Sequence, residues 1–341
     1  MTELLLSSRI PSGVIDDFDL VTVDGRLLLC AGDGSGGCTW DPAADRWTEH
    51  RLDLPYRPED FRAMTGHLPA EDDDGYRLYS VCAAVVDGRI VIGGGNYEEP
   101  FAQWDLATGA VRAHARNDDG GTGKTMTVRL DGRPHFIACG ASAHMWDVER
   151  PDAEPVPLPG SRDTVSGIAA GTVDGRPSVV IGDWDGDVLV WDVETRSVFT
   201  DFRCPVPVRD LGLATLDGRT RIVVAGEDRL VLGDPDTGEW EWDGPVDRGS
   251  IGFGEEDEEA EDPITRMDVG VANGRPVAVT GSGEGRVCVW SLDERRLLNG
   301  PLTPGHKGEV NAFRIADLDG RTVAVSAGHD RRVLVWDLEG E

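Results

Sequence analysis

Short apolar runs separated by Gly- and Asp-rich turns recur along the whole of this 341-residue chain. The last unit is the clearest. Asp319-Gly320-Arg321 leads into Thr322-Val323-Ala324-Val325-Ser326, a turn follows at Gly328-His329-Asp330, and Val333-Leu334-Val335-Trp336-Asp337 ends the unit. Runs this short, rich in β-branched residues and bounded by turn formers, predict strands. The middle runs are apolar at nearly every position instead of at alternate ones, so their sheets should be covered on both faces.

The pattern occurs seven times. Its turn triplets begin at Asp24, Asp87, Asp131, Asp174, Asp217, Asn273 and Asp319, at spacings of 63, 44, 43, 43, 56 and 46 residues. Six units close in Trp40-Asp41, Trp104-Asp105, Trp146-Asp147, Trp191-Asp192, Trp290-Ser291 and Trp336-Asp337, and the fifth has Gly233-Asp234 there. A repeat in the forties marks stacked four-stranded units, or blades. In the seventh, Val310 to Ala316 is innermost, followed by Thr322 to Ala327 and Arg332 to Trp336. The outermost strand of a blade follows its Trp-Asp, as Ser197 to Arg203 follows Trp191-Asp192. The seventh blade has no such strand after Asp337, whereas Glu3 to Arg9 precedes the first blade and belongs to no other. That spare strand is expected to complete the seventh blade and close a ring with no open edge.

On these units the chain resembles the Trp-Asp (WD) repeat family over essentially its full length, and its Asp-Gly-Arg copies resemble the high-GC bacterial members. The resemblance implies an all-β, seven-bladed β-propeller of four-stranded antiparallel blades, a single domain over residues 1–341. It also implies a hydrogen-bond network tying each blade, whose members in the seventh copy are His306, Ser326, Asp330 and Trp336. Other copies depart from it. The fourth has Gly160-Ser161 in place of Gly-His and Ile181 at the hydroxyl position, yet keeps Asp185 and Trp191. The sixth keeps Thr280 and Trp290, carries Glu284 for Asp and lacks the His. Packing is therefore expected to hold most blades together.

Composition adds little to the fold and more to the setting. The 44 glycines suit a chain that turns about every ten residues. No apolar run approaches the ~20 residues of a membrane span, and Leu4-Leu5-Leu6 is too short for the core of a signal peptide. Cys30, Cys38, Cys82, Cys139, Cys204 and Cys288 show no C-x-x-C spacing and mostly fall at strand positions, where a thiol acts as a small hydrophobe. The expectation is a reduced, cytoplasmic monomer without membrane association.

Two features imitate chemistry, and a third is missing. Ser326, His306 and Asp330 are the residue types of a hydrolase triad, but they occupy the blade-tying positions, and a triad is defined by geometry. Gly120-Gly121-Thr122-Gly123-Lys124-Thr125 imitates a phosphate loop, but Asp118 stands where its first Gly belongs and a strand follows instead of a helix. The histidines His50, His67, His114, His135, His144, His306 and His329 form no ligand pair at metal-site spacing. No catalytic residue, metal or cofactor is expected.

Charge bears on partners. With 33 Lys and Arg against 63 Asp and Glu, the formal charge is −30, which excludes a nucleic-acid backbone as partner and favours a basic surface. Glu255 to Asp262 places seven carboxylates in eight positions, and Glu71-Asp72-Asp73-Asp74 adds four. The long spacings put extra residues between Leu52 and Leu78 and between Trp242 and Ile264, each between an outer strand and the next inner strand. By the family resemblance these loops rise on the face that carries the turns between second and third strands. Trp184 stands on such a turn, Gly182-Asp183-Trp184-Asp185-Gly186, and Tyr97, His329 and Arg331 hold equivalent turns. Tyr79, Arg209 and Arg266 align at the start of inner strands and point the same way. Trp and Arg are favoured interface anchors, although Trp184 could instead fold onto its own blade.

The chain therefore reads as a non-catalytic platform that grips a protein or peptide with a basic patch. One alternative is an enzyme or small-ligand binder using Arg209, Arg266 and His329 at a channel mouth. Another is an acidic inhibitor or immunity protein directed at a basic toxin.

Overall fold

The computed structural model describes residues 2–33, 36–56, 78–96, 100–115, 121–140, 142–160, 165–245 and 262–340. Every regular element among them is a strand. The strands form seven four-stranded antiparallel sheets, the blades of a seven-bladed β-propeller. They fall into two compact units, Ile10–Val165, and Met1–Arg9 with Ser166–Glu341.

In chain order, β1 (Glu3–Arg9) precedes the blades. The first blade is β2 (Phe18–Val23), β3 (Arg26–Asp33), β4 (Gly36–Asp41) and β5 (Arg46–His50). The second is β6 (Ser80–Val86), β7 (Arg89–Gly95), β8 (Ala102–Asp105) and β9 (Val111–His114), and the third is β10 (Thr122–Leu130), β11 (Arg133–Gly140), β12 (Ala143–Asp147) and β13 (Val156–Leu158). These three make the first unit. The fourth blade is β14 (Val165–Val173), β15 (Arg176–Asp183), β16 (Asp187–Asp192) and β17 (Ser197–Arg203). The fifth is β18 (Asp210–Leu216), β19 (Arg219–Ala225), β20 (Arg229–Gly233) and β21 (Trp240–Pro245). The sixth is β22 (Ile264–Ala272), β23 (Arg275–Ser282), β24 (Val287–Ser291) and β25 (Arg296–Asn299). The seventh has β26 (Val310–Leu318), β27 (Arg321–Gly328) and β28 (Arg332–Asp337), and its fourth strand is β1. Glu3 pairs with Asp337 and Arg9 with Arg332, so the N-terminal strand completes this blade as the sequence predicts.

The repeated motifs have a local cause. In all seven turn triplets the Asp or Asn has φ between 47° and 54° and the following Gly between 72° and 79°. Positive φ at both central residues is the two-residue hairpin turn whose twist matches the strands, and it explains Asp/Asn-Gly at each site. In the first, second and seventh blades the Arg of the triplet then reaches the Asp of Trp-Asp: Arg26 pairs with Asp41, Arg89 with Asp105 at 3.5 Å, and Arg321 with Asp337 at 3.4 Å. That Asp also caps the next turn. Asp192 Oδ1 accepts the amides of Thr195 at 3.0 Å and Glu194 at 2.9 Å, and these bonds hold its carboxyl below the usual carboxylate range.

Hydrophobic cores lie between successive blades within each unit. Leu52, Leu78, Val81, Ile92 and Trp104 pack between the first and second blades, and Val279, Val310, Phe313 and Trp336 between the sixth and seventh. Inner-strand aspartates add a second tie. Asp19 accepts the Ala83 amide at 2.8 Å and the Thr127 hydroxyl at 2.9 Å, joining three blades of the first unit. In the second unit Asp210 accepts the Met267 amide at 3.0 Å, and Asp268 the Ile315 amide at 2.6 Å. The six cysteines form no disulfide, and burial pushes the Cys139 thiol up to about 12, far from a reactive thiolate.

Candidate partner-binding site

The β15–β16 turn presents Trp184 outward. Asp183 is buried beneath it, with Oδ1 accepting the Asp187 amide at 2.8 Å and its carbonyl accepting the Gly186 amide at 3.0 Å. Gly186, at φ +90°, allows the chain to double back. Trp184 is left 43% exposed, the one aromatic among the exposed large apolar side chains of the described residues.

Its ring is not loose. Arg209, just before β18 of the fifth blade, places its guanidinium carbon 3.6 Å from the Trp184 ring centroid. The Arg209 amide donates to the Ala225 carbonyl at 2.8 Å, and the guanidinium pairs with Glu227. Arg209 Nε is shielded from solvent and finds no acceptor among the described residues, while the guanidinium as a whole is held between the Trp184 face and Glu227. A cation over an indole is worth about 0.5–1 kcal/mol when exposed and more when desolvated. The consequence for binding is rotameric: both long side chains are ordered before a partner arrives, which reduces the entropy lost on association.

The remaining sequence candidates have contacts of their own. Arg266 is turned into its own unit, with Nε donating to the Asn311 carbonyl and Nη1 to the Thr265 carbonyl at 2.7 Å. His329 and Arg331 are exposed on the β27–β28 turn, where the His329 amide donates to Glu309 O at 2.9 Å and Arg331 takes φ +60°. Tyr79, in the other unit, is half-buried and its amide donates to Gly95 O at 2.9 Å. Tyr97, the Glu71–Asp74 block and Glu255 to Glu261 lie outside the described residues. Asp262, the end of the acidic run, is buried, accepting the Glu284 amide at 2.8 Å and pairing with Arg286 at 3.3 Å. Sequence reasoning missed Glu227. The signal available was its place in the Gly226-Glu227 turn, opposite the start of β18.

The fourth-blade Asp also differs from expectation. Asp185, read as the network residue, is exposed, and the buried carboxylate of this turn is Asp183, whose Oδ1 accepts the Asp187 amide at the start of β16. The pseudo-phosphate loop runs straight into β10 at Thr122, so its amides pair with β11 from there on.

In the seventh blade the four network side chains are in contact. His306 Nδ1 bonds Asp330 Oδ1 at 2.9 Å, His306 Nε2 bonds Ser326 Oγ at 2.9 Å, and Trp336 Nε1 donates to Ser326 Oγ at 3.4 Å. Ser326 is fully buried, and burial lowers the His306 pKa against the pull of Asp330. A hydroxyl sealed between an imidazole and an indole ties strands and offers no nucleophile to a substrate. Residues 300–337, which hold all four, match the family model for the WD domain, G-beta repeat. The seventh blade is thus similar to a WD repeat in sequence and in its bonds. No curated protein matches the chain. Other blades that close in a Trp vary the theme: Trp290 donates to Thr280 Oγ1 at 2.9 Å, Trp40 to Asp45 Oδ1 at 3.0 Å, and Trp104 to the Asp53 carbonyl at 2.8 Å.

Proposed function

We propose that the chain is a non-catalytic, cytoplasmic, monomeric platform that binds a protein or peptide through a basic segment. WD propellers commonly serve as protein-interaction scaffolds, and the match in the seventh blade supports that general role here. The observation that carries the specific reading is the exposed Trp184 ring, held by Arg209 and Glu227 and flanked by the exposed Asp185. An ordered indole beside carboxylates suits a Lys or Arg side chain, whose stem packs on the ring while its charge meets the acid. The formal charge of −30 would speed encounter with such a partner.

The channel-mouth enzyme reading draws less support, because two of its three polar groups are committed within the chain. Arg266 is bonded to backbone carbonyls, and Arg209 to Glu227 and the Trp184 ring. An inhibitor of a basic toxin would use the same surface and is a special case of the platform. Selection of random peptides on the immobilised protein tests the reading. Enrichment of Lys- and Arg-rich sequences is expected on the parent and not on a Trp184→Ala variant; sequences without basic bias would refute it.

A further inference from the structure

The Trp184 ring has one face left to offer. The Arg209 guanidinium carbon stands 3.6 Å from the ring centroid, at contact distance, so a partner finds that face covered. A Trp residue that is still 43% exposed has its opposite face and rim in solvent. Both residues belong to the unit that contains Ser166–Glu341.

Most charges around the ring are matched within the chain. Arg209 Nη2 pairs with Glu227, so a second cation across the ring would face an ion pair instead of a bare charge. Arg203 Nη2 donates to the Asp185 carbonyl at 2.9 Å, and its Nη1 lies 3.8 Å from Asp187 Oδ1. Buried Asp183 accepts the Asp187 amide. The Asp185 carboxylate is the exception. It is exposed, follows Trp184 directly in the turn, and has no hydrogen bond or ion pair among the described residues.

The first face shows what suits the second. Arg209 lays its guanidinium against the indole and turns an N–H toward a carboxylate, which a planar cation can do in one pose. A free carboxylate beside an open indole face offers the same two contacts to a guanidinium from outside. An ammonium meets them less well. It is compact and strongly hydrated, and it lacks the planar fork that pairs with a carboxylate through two parallel N–H groups. We infer, building on the platform reading, that the partner presents an arginine to the open face of Trp184, paired with Asp185, and that lysine is a poor substitute.

Blocked hexa-arginine and hexa-lysine peptides carry the same charge and test the choice, their affinities measured by calorimetry at physiological salt. The parent is expected to bind hexa-arginine about tenfold more tightly, because a bidentate charge-assisted pair is lost with lysine. Asp185→Asn, in an exposed turn, should bring hexa-arginine down to the level of hexa-lysine, and Trp184→Ala should erase the preference as well. Equal affinities on the parent would overturn the arginine assignment and leave the platform reading in place. A preference that survives either substitution would overturn it too, by placing the arginine elsewhere. If neither peptide binds the parent, the platform reading fails and the assignment with it.

Discussion

The indole of Trp240 lies against Gly233, in the space that a β-carbon on that glycine would occupy. An ideal Cβ there would sit 2.7 Å from Trp240 Cζ3. Trp240 is paired directly opposite Gly233 on β21, and its Nε1 donates to the Arg203 carbonyl at 2.9 Å. The outer strand of the fifth blade thus supplies the ring that the neighbouring β-strand supplies in Trp-Asp blades. Gly233→Ala should displace this ring and cost about 1–3 kcal/mol, as overpacking does. Chemical denaturation checks it, with Gly238→Ala excluded as a control because its own φ is +71°. A variant as stable as the parent would show that the ring does not fill the vacancy.

Loss of β1 should be felt in the seventh blade. Removing residues 2–9 strips six paired positions from β28 and exposes its edge. Aggregation or a large fall in melting temperature is expected from an unprotected strand edge. Light scattering during a thermal melt reads both, and a truncated chain that melts cleanly at the parent temperature would contradict the pairing.

Blade number, turn type and the N-terminal origin of the seventh blade's fourth strand were legible because each rests on local chemistry. Asp-Gly repeats force positive φ, and continuous apolar runs need cover on both faces. The fifth blade's remedy was not legible, since Gly233 and Trp240 meet only once the register of β20 and β21 is known. The site was legible in part. Trp184 stood out as a turn-tip aromatic, but the guanidinium on its face comes from the next blade, where sequence shows only an Arg before a strand. Arg266 shows the converse, a matching alignment with a side chain spent on carbonyls.

Asp330 carries more of its blade than Glu284 does. It accepts from His306, from the Lys307 amide at 3.0 Å and from the Arg332 amide at 3.2 Å, whereas Glu284 accepts from Arg286 at a side chain 63% exposed. Asp330→Ala should cost about 1–3 kcal/mol through unsatisfied partners, and Glu284→Ala well under 1 kcal/mol. Equal losses in parallel melts would contradict this ranking.

Asp268 should give the fold an acid-side preference. Burial pushes its carboxyl up to about 6, against Arg314 and the amides of Ile315 and Val269, and Asp210 adds to the rise. The folded state then holds this proton more tightly than the unfolded chain, whose value is 3.8. Its contribution is fully present below about pH 4 and is lost as pH rises through about 6. In Asp268→Asn that dependence should vanish, so the parent's stability relative to the variant should fall by up to about 3 kcal/mol between pH 4 and 7. Superimposable stability profiles over this window would remove Asp268 from the account.

The platform claim rests on Trp184, and one comparison tests it most directly. A Lys- or Arg-rich peptide selected on the parent is bound to the parent and to Trp184→Ala, and its affinity is measured at low and at physiological salt. Loss of an ordered interface anchor predicts weakening of about 2 kcal/mol, or roughly thirtyfold, through faster dissociation. Both proteins should keep the salt dependence that comes from the acidic surface. Equal affinity for the two proteins would show that Trp184 is not the working surface and would overturn the proposal.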